Sequence, residues 1–164
     1  MIPYGKQSID DDDIKSVVDI LQSDWLTTGP MVDEFEKAFA KYTGSTLAVA
    51  VNSGTAALHC AMFAIGIKSN DEVIIPTMTF AATANCILFQ GGRPIFADVD
   101  PMTLLIDTSD VEKKITSKTK AIIAVDYAGQ AADYVKLRKI ADKHNLFLIA
   151  DSCHAIGGSY NDRP

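Results

Sequence analysis

The first residue that invites a chemical reading is Asp151. It follows Leu146-Phe147-Leu148-Ile149-Ala150, so a carboxylate stands at the end of a wholly apolar run. A charge there is costly unless something partners it. It could cap a turn, bind a metal, or pair with a cationic atom of a ligand. His154 lies three residues on and can face the same pocket. A Cys153–His154 nucleophile pair is disfavoured, because adjacent residues seldom point the same way and no third group to orient the base is evident. A second candidate is Asn52-Ser53-Gly54-Thr55-Ala56-Ala57-Leu58. Gly54 permits a tight turn, and the N–H groups of Thr55 and Ala56 would open a helix, which is a ready anion site. The same residues also read as an ordinary strand-to-helix turn capped by Ser53. The GK[ST] ending of a Walker loop is absent, and so is GxGxxG. Phe80, in Pro76-Thr77-Met78-Thr79-Phe80, could stack on a flat ring, although spacing alone favours a core residue. His59 and His144 read as surface or capping residues. The run Asp10-Asp11-Asp12-Asp13 is a poor metal site, because consecutive helix positions point in different directions.

Ligands of an open α/β sheet gather at the carboxyl ends of the strands, so these residues need parallel strands to present them. From Thr46 onward, short apolar runs alternate with helical stretches. Residues 47–51, 73–75, 94–97, 121–125 and 146–150 read as buried strands. Helical patterns cover 55–65, 81–89, 109–115 and 133–144, with Ser109 and Glu112 as a capping box. The alternation predicts the α/β class, with a mostly parallel sheet and flanking helices. Two helices precede it. Asp10 caps the first, and Asp11, Asp12 and Asp13 meet the positive end of its dipole. Ile14, Val17, Val18 and Leu21 give that helix one apolar face. Pro30 opens the second, which runs to about Tyr42 with Val32, Phe35, Phe39 and Tyr42 on one face. Between them lies the turn-rich loop Ser23-Asp24-Trp25-Leu26-Thr27-Thr28-Gly29.

Composition narrows the classes. The chain has 164 residues and 15 basic against 21 acidic side chains, a formal charge of −6. That balance argues against a general nucleic-acid binder and against an anionic membrane surface. No apolar run approaches the ~20 residues of a membrane span, and the N-terminus has no signal-peptide pattern. Cys60, Cys86 and Cys153 are widely spaced with no CxxC, which fits reduced thiols in a cytoplasmic protein. The chain stops at Tyr160-Asn161-Asp162-Arg163-Pro164, soon after an expected strand, which reads as a truncated domain.

Taken together, NSGTAAL, DEVIIPTMTFAATANCILFQGGRPIFADVD, VDYAGQAAD and LFLIADSCHAIGG resemble, in order and spacing, the DegT/DnrJ/StrS-type sugar aminotransferases. The opening IPYGKQSIDDDDIKSVVDILQSDWLTTGP belongs to the same pattern, so the resemblance covers essentially the whole chain. Within that family the pattern is most similar to the UDP-4-amino-4,6-dideoxy-N-acetyl-β-L-altrosamine transaminases of pseudaminic acid synthesis. The resemblance implies the aspartate-aminotransferase fold and pyridoxal 5′-phosphate (PLP) as cofactor. Residues 1–45 would be an N-terminal helical segment. Residues 46–164 would be the N-terminal part of the PLP-binding large domain, without the small C-terminal domain.

Residue by residue, the resemblance implies that Gly54, Thr55 and Ala56 hold the cofactor phosphate. It implies that Phe80 stacks on the pyridine ring, and that Asp151 pairs with the pyridine nitrogen and keeps it protonated. His154 matches a Gln or His position near the ring hydroxyl. Trp25, Leu26, Thr27, Thr28 and Gly29 would contribute to the sugar-nucleotide pocket. Relatives often carry His where Asp126 stands, so no role is carried over to it. The Schiff-base lysine of the family follows the aspartate motif after an SFxxxK-like segment, which would lie beyond Pro164. The implied reaction moves an amino group from glutamate to a UDP-linked 4-keto-6-deoxy sugar, in a homodimer at full length. This chain alone would be inactive. Two rival readings are a PLP-dependent sugar dehydratase of the same family and an inactive α/β phosphate-binding module. A flavodoxin-like domain is a third, against which the two leading helices speak.

Overall fold

The computed structural model describes residues 7–162. Residues 1–6, which open the N-terminal motif, and 163–164 lie outside them. The chain divides into two compact units, Met1–Ala50 and Val51–Pro164.

The first unit carries α1 (Asp11–Leu21) and α2 (Pro30–Thr43). Asp10 caps α1 as expected, accepting from the Asp12 and Asp13 N–H groups at 3.0 Å each. Asp13 reaches back to the Asp10 N–H at 3.1 Å, a capping box built from two aspartates. Pro30 occupies the first turn of α2, and Gly44 ends the helix at φ 68, a left-handed conformation that glycine adopts without a Cβ penalty. The apolar faces of both helices are present, but neither helix contributes a buried residue.

The second unit is a sheet between two layers of helices. Its elements are α3 (Gly54–Ala64), β1 (Glu72–Pro76), α4 (Ala81–Phe89), β2 (Arg93–Ala97), α5 (Thr108–Lys114), β3 (Thr119–Val125), α6 (Tyr134–His144) and β4 (Phe147–Asp151). The strand order is β2-β1-β3-β4, and every pairing is parallel. The strand residues alternate between two cores. Val73, Ile75, Ala121 and Ile123 pack with Leu58 and Met62 of α3 and Cys86 and Ile87 of α4. Ile74, Ile122 and Ala124 pack with Val111 of α5 and Leu137, Ile140 and Ala141 of α6. Because both faces are covered, these strands read as continuous aliphatic runs. Each fully buried Ile or Leu contributes on the order of 1.5–3 kcal/mol. The chain goes from β1 to β2 on one side and returns to β3 on the other. That makes a topological switch point between β1 and β3, where ligands of such sheets collect.

The strands expected to be buried over 94–97 and 146–150 lie at the sheet edges and are only partly so, with Phe96 and Phe147 about half exposed. Two further sequence expectations fail. Residues 47–51 form no strand, although their aliphatic pattern matches one. A strand exists only through pairing, and this segment has no ladder partner among the described residues. Leu47 and Val49 are 81% and 80% exposed, and the Ala50 N–H donates instead to the Glu36 side chain at 2.7 Å. The capping box on α5 is also displaced. Asp107, not Ser109, is the N-cap, accepting from the Ser109 N–H at 2.8 Å and the Ser109 hydroxyl at 2.7 Å. The anionic acceptor takes the position that the hydroxyl would otherwise fill. Cys60, Cys86 and Cys153 are all free thiols. Among the described residues, no helix is long and apolar enough to cross a membrane.

Candidate active site

Two carboxylates stand side by side at the carboxyl end of the sheet. Asp151 is the last residue of β4, and Asp126 follows β3 directly. The strands keep pairing here, since the Asp126 N–H donates to the Asp151 carbonyl at 3.0 Å. Both side chains are buried, at 8% exposure for Asp151 and 5% for Asp126. Neither belongs to an ion pair among the described residues.

Their surroundings differ. Asp126 accepts from the Ala132 N–H at 2.9 Å, the Tyr134 hydroxyl at 2.8 Å and the Ser152 hydroxyl at 2.5 Å. Burial, reinforced by the Asp126 charge, pushes the Tyr134 phenol far above its ordinary pKa, so it stays a donor. Asp126 is thereby committed to protein donors and anchors the turn after β4 through Ser152. Asp151 accepts one hydroxyl bond, from Thr83 Oγ1 to Oδ2 at 3.0 Å. The Cys153 thiol also faces it. Hydrogen bonding to Asp151, then burial and the Asp151 charge, push the thiol pKa up to about 11. A buried, unpaired carboxylate with donors on one side suits a cation arriving from the other.

The other expected residues of this unit converge on the same end. Ser53 caps α3, accepting the Ala56 N–H at 3.1 Å. That bond occupies one of the three residues expected to hold a phosphate. The Gly54 and Thr55 N–H groups are the first two of the helix and have no acceptor within it. A Cβ on Gly54 would sit 2.7 Å from Cys153 Sγ, so glycine is what lets the start of α3 meet the turn after Asp151. Phe80 is the N-cap of α4 and is 75% exposed, so it is not the core residue that spacing suggests. It lies one turn before Thr83, which holds Asp151. His154 is exposed, and its carbonyl lies 3.2 Å from where a Gly129 Cβ would be. Of the other histidines, His144 is exposed at the end of α6, and His59 packs against the Phe89 ring with centroids 5.2 Å apart.

The residues expected at a sugar nucleotide belong to the first unit. Trp25 and Leu26 are exposed, and with Thr28, Gly29, Ile20, Val32 and Phe35 they help line a mainly apolar cavity of about 280 Å³. Thr27 is not in its wall. Thr28 has φ 48, which is uncommon for a β-branched residue and a form of local strain that concentrates at functional loops.

Sequence reasoning did not find Thr83, Thr79, Ser152 or Tyr134. Each is one polar residue in an unremarkable context, and only the fold brings it to a carboxylate. Asp126 carried the same signal as Asp151, a carboxylate ending an apolar strand.

Residues 7–164 match the DegT/DnrJ/EryC1/StrS aminotransferase family. The chain belongs to that family. It is 43% identical to the spore coat polysaccharide biosynthesis protein SpsC of Bacillus subtilis over 162 residues, 99% of this chain and 42% of that protein. Among solved structures, the sugar aminotransferase candidate Spr1654 of Streptococcus pneumoniae in its PMP form superposes with TM-score 0.94 at 34% identity, covering 99% of this chain and 45% of that one. A GDP-4-keto-6-deoxymannose-3-dehydratase holding a trapped PLP-glutamate geminal diamine superposes with TM-score 0.92 at 30% identity, covering 99% and 44%. Helicobacter pylori PseC, an aminotransferase of pseudaminic acid biosynthesis, gives TM-score 0.91 at 35% identity, covering 98% and 44%. The chain thus spans less than half the length of these relatives. Its strand order alone is also that of flavodoxin-like sheets, so family membership decides against that reading. The cofactor that goes with this family is pyridoxal 5′-phosphate, and Spr1654 is also solved in its PLP form. The residues fit it: an anionic partner for a protonated ring nitrogen, an exposed aromatic, and two helix N–H groups meet at one end of the sheet.

Proposed function

We propose that this chain supplies the cofactor-binding part of a PLP-dependent nucleotide-sugar aminotransferase that moves an amino group from glutamate to a UDP-linked 4-keto-6-deoxy sugar. Residues 1–45 are its N-terminal helical segment, and 46–164 are the N-terminal part of the large domain. The observation that carries this reading is Asp151, buried at the end of β4 with Oδ2 tied to Thr83 and no cation beside it among the described ion pairs. When bound, PLP supplies an electron-accepting ring with a cationic nitrogen. Asp151 holds the proton on that nitrogen, and its burial strengthens the pair by excluding water. Phe80, exposed at the N-cap of α4, would offer its face to that ring. The Gly54 and Thr55 N–H groups, the Thr55 hydroxyl and the dipole of α3 hold the phosphate. Ala56 supports them through its bond to the Ser53 cap. His154, in the turn after β4, would lie toward the ring hydroxyl. Trp25, Leu26, Thr27, Thr28 and Gly29 border the sugar nucleotide, for which the apolar cavity of the first unit offers a surface for a base or a deoxy-sugar methyl.

Likeness to PseC supports a sugar of the pseudaminic acid type, and the GDP-4-keto-6-deoxymannose-3-dehydratase with its PLP-glutamate species supports a 4-keto-6-deoxy sugar and glutamate as donor. We place the full-length protein in the cytoplasm as a homodimer, with this chain alone inactive. The likeness to the dehydratase favours one second reading, deoxygenation of the sugar on the same cofactor. The test is to incubate the full-length protein with PLP, then glutamate, then a UDP-4-keto-6-deoxy sugar, and to identify the product by mass spectrometry. An amino sugar together with 2-oxoglutarate supports the proposal. A deoxygenated sugar supports the dehydratase reading, and no change of either PLP or sugar overturns both.

A further inference from the structure

A threonine inside a helix ordinarily gives its single hydroxyl proton to the carbonyl one turn earlier. Thr83 donates instead across 68 residues of sequence to Asp151 Oδ2, at 3.0 Å. Its oxygen accepts in turn from the Thr79 hydroxyl at 2.7 Å. With one proton per hydroxyl, the direction of the chain is fixed: Thr79 gives to Thr83, and Thr83 gives to the carboxylate. Thr83 is completely buried, so no water can replace it. Thr79 immediately precedes Phe80, and Thr83 sits in the first turn that Phe80 caps. One pair of hydroxyls therefore links the loop bearing the exposed aromatic to the carboxylate at the end of β4.

We infer that Thr83, backed by Thr79, is a positioning residue that holds the Asp151 carboxylate by Oδ2 and leaves Oδ1 for the ring nitrogen of the cofactor. The inference rests on the proposed pairing of Asp151 with that nitrogen. A carboxylate held at one oxygen cannot rotate away when the ring enters, so the hydrogen bond to nitrogen forms without a further ordering cost. The other titratable groups that feel the Asp151 charge are Cys86, Cys153 and Tyr134. The two thiols are pushed up to about 11 and the phenol higher still, so all three stay neutral through the physiological range. Asp126 and His154 are common to every variant compared below.

The test uses the full-length protein loaded with PLP labelled with ¹⁵N at the pyridine nitrogen. The nitrogen shift is followed against pH, and PLP affinity is measured by fluorescence. Thr83→Val keeps the branched shape and removes the hydroxyl. It is expected to lower the pH at which the bound ring loses its proton and to weaken PLP binding about tenfold, the scale of one hydrogen bond to a charged group. Thr83→Ser restores the hydroxyl and should behave as wild type. Thr79→Val should shift the ring titration in the same direction, by less. A wild-type titration in Thr83→Val overturns the inference. So does a Thr83→Ser defect equal to that of Thr83→Val, which would make the role one of methyl packing. Should Thr83→Val fail to fold, Thr79→Val decides, and an unshifted ring titration there overturns the inference. Asp151→Asn separates the two levels. If it leaves the ring nitrogen unchanged, the Asp151 pairing falls and the positioning role with it. If it shifts the nitrogen while Thr83→Val does not, only the positioning role falls.

Discussion

Replacing Asp151 by Asn changes one charge and little else. The amide oxygen can still accept from Thr83 Oγ1, now 3.0 Å from Oδ2, so the end of β4 keeps its anchor. What the amide cannot do is hold a proton on a pyridine nitrogen. A hydrogen bond to a charged partner contributes ~1.5–3 kcal/mol, and every ~1.4 kcal/mol lost from a transition state is tenfold in rate. At 8% exposure little water reaches the pair, which favours the upper half of that range. The ring draws in electrons mainly in the transition state, so kcat should fall further than PLP affinity. The expected loss of kcat in the full-length enzyme is about a hundredfold or more, with PLP retained through the phosphate contacts. A second assay needs no cofactor. Cys153 is pushed up to about 11 chiefly by its hydrogen bond to Asp151. In Asp151→Asn its pKa should drop toward the ordinary ~8.5, read from the pH dependence of alkylation by iodoacetamide. Near-normal kcat would reduce Asp151 to a turn-capping residue. A thiol whose titration does not move in Asp151→Asn would show that burial, and not Asp151, raises it.

Three further outcomes follow from the same contacts. Gly54→Ala drives a methyl to 2.7 Å from Cys153 Sγ and should destabilise the start of α3, while adding Cys153→Ala removes the clash and should recover most of the melting temperature. Asp126→Ala strands the Ala132 N–H and the Tyr134 hydroxyl, each ~1–3 kcal/mol when unsatisfied, and should cost ~2–5 kcal/mol in urea unfolding, with Asp126→Asn costing less. Ser109 holds the Asp107 carboxyl below the usual carboxylate range, first by its hydroxyl and then by its N–H. A depressed folded pKa means that this cap's stabilisation is full above ~4 and is lost as pH falls through the lower folded value. Asp107→Ala should therefore cost ~0.5–2 kcal/mol at pH 7, and the difference from wild type should shrink as the pH falls below the usual carboxylate range.

The layered core was legible because its central strands β1 and β3 are buried on both faces and its helices carry their own end signals. Asp10, Pro30 and the aliphatic runs of β1 and β3 each satisfy a local rule that the fold leaves intact. The failures arise where a local signal needs a distant partner. Residues 47–51 have the aliphatic pattern of a strand but no ladder among the described residues, and a pattern cannot pair with itself. Ser109 and Glu112 fit a capping box, but Asp107 lies two residues earlier and offers a charged acceptor. Spacing alone favours Phe80 as a core residue, because a sequence pattern does not distinguish an apolar ring packed under a helix from one standing exposed at its entrance, where the family resemblance puts a stacking aromatic.

The two carboxylates mark the limit more sharply. Asp126 and Asp151 carry one and the same sequence signal, an acid ending an apolar strand, and the fold places them on neighbouring strands joined by a backbone hydrogen bond. Their different fates come from what the next element delivers. The chain after β3 turns back within a few residues and brings the Ala132 N–H and the Tyr134 hydroxyl to Asp126. Ser152, the residue after Asp151, closes that cluster. Once Ser152 is turned toward Asp126, Cys153 is carried toward Gly54, and the start of α3 comes against the turn that follows Asp151. Asp126 is thus satisfied by its own surroundings, and in being satisfied it shapes the turn beside Asp151. Asp151 keeps one oxygen for Thr83 and remains the carboxylate able to take a cation from outside the chain.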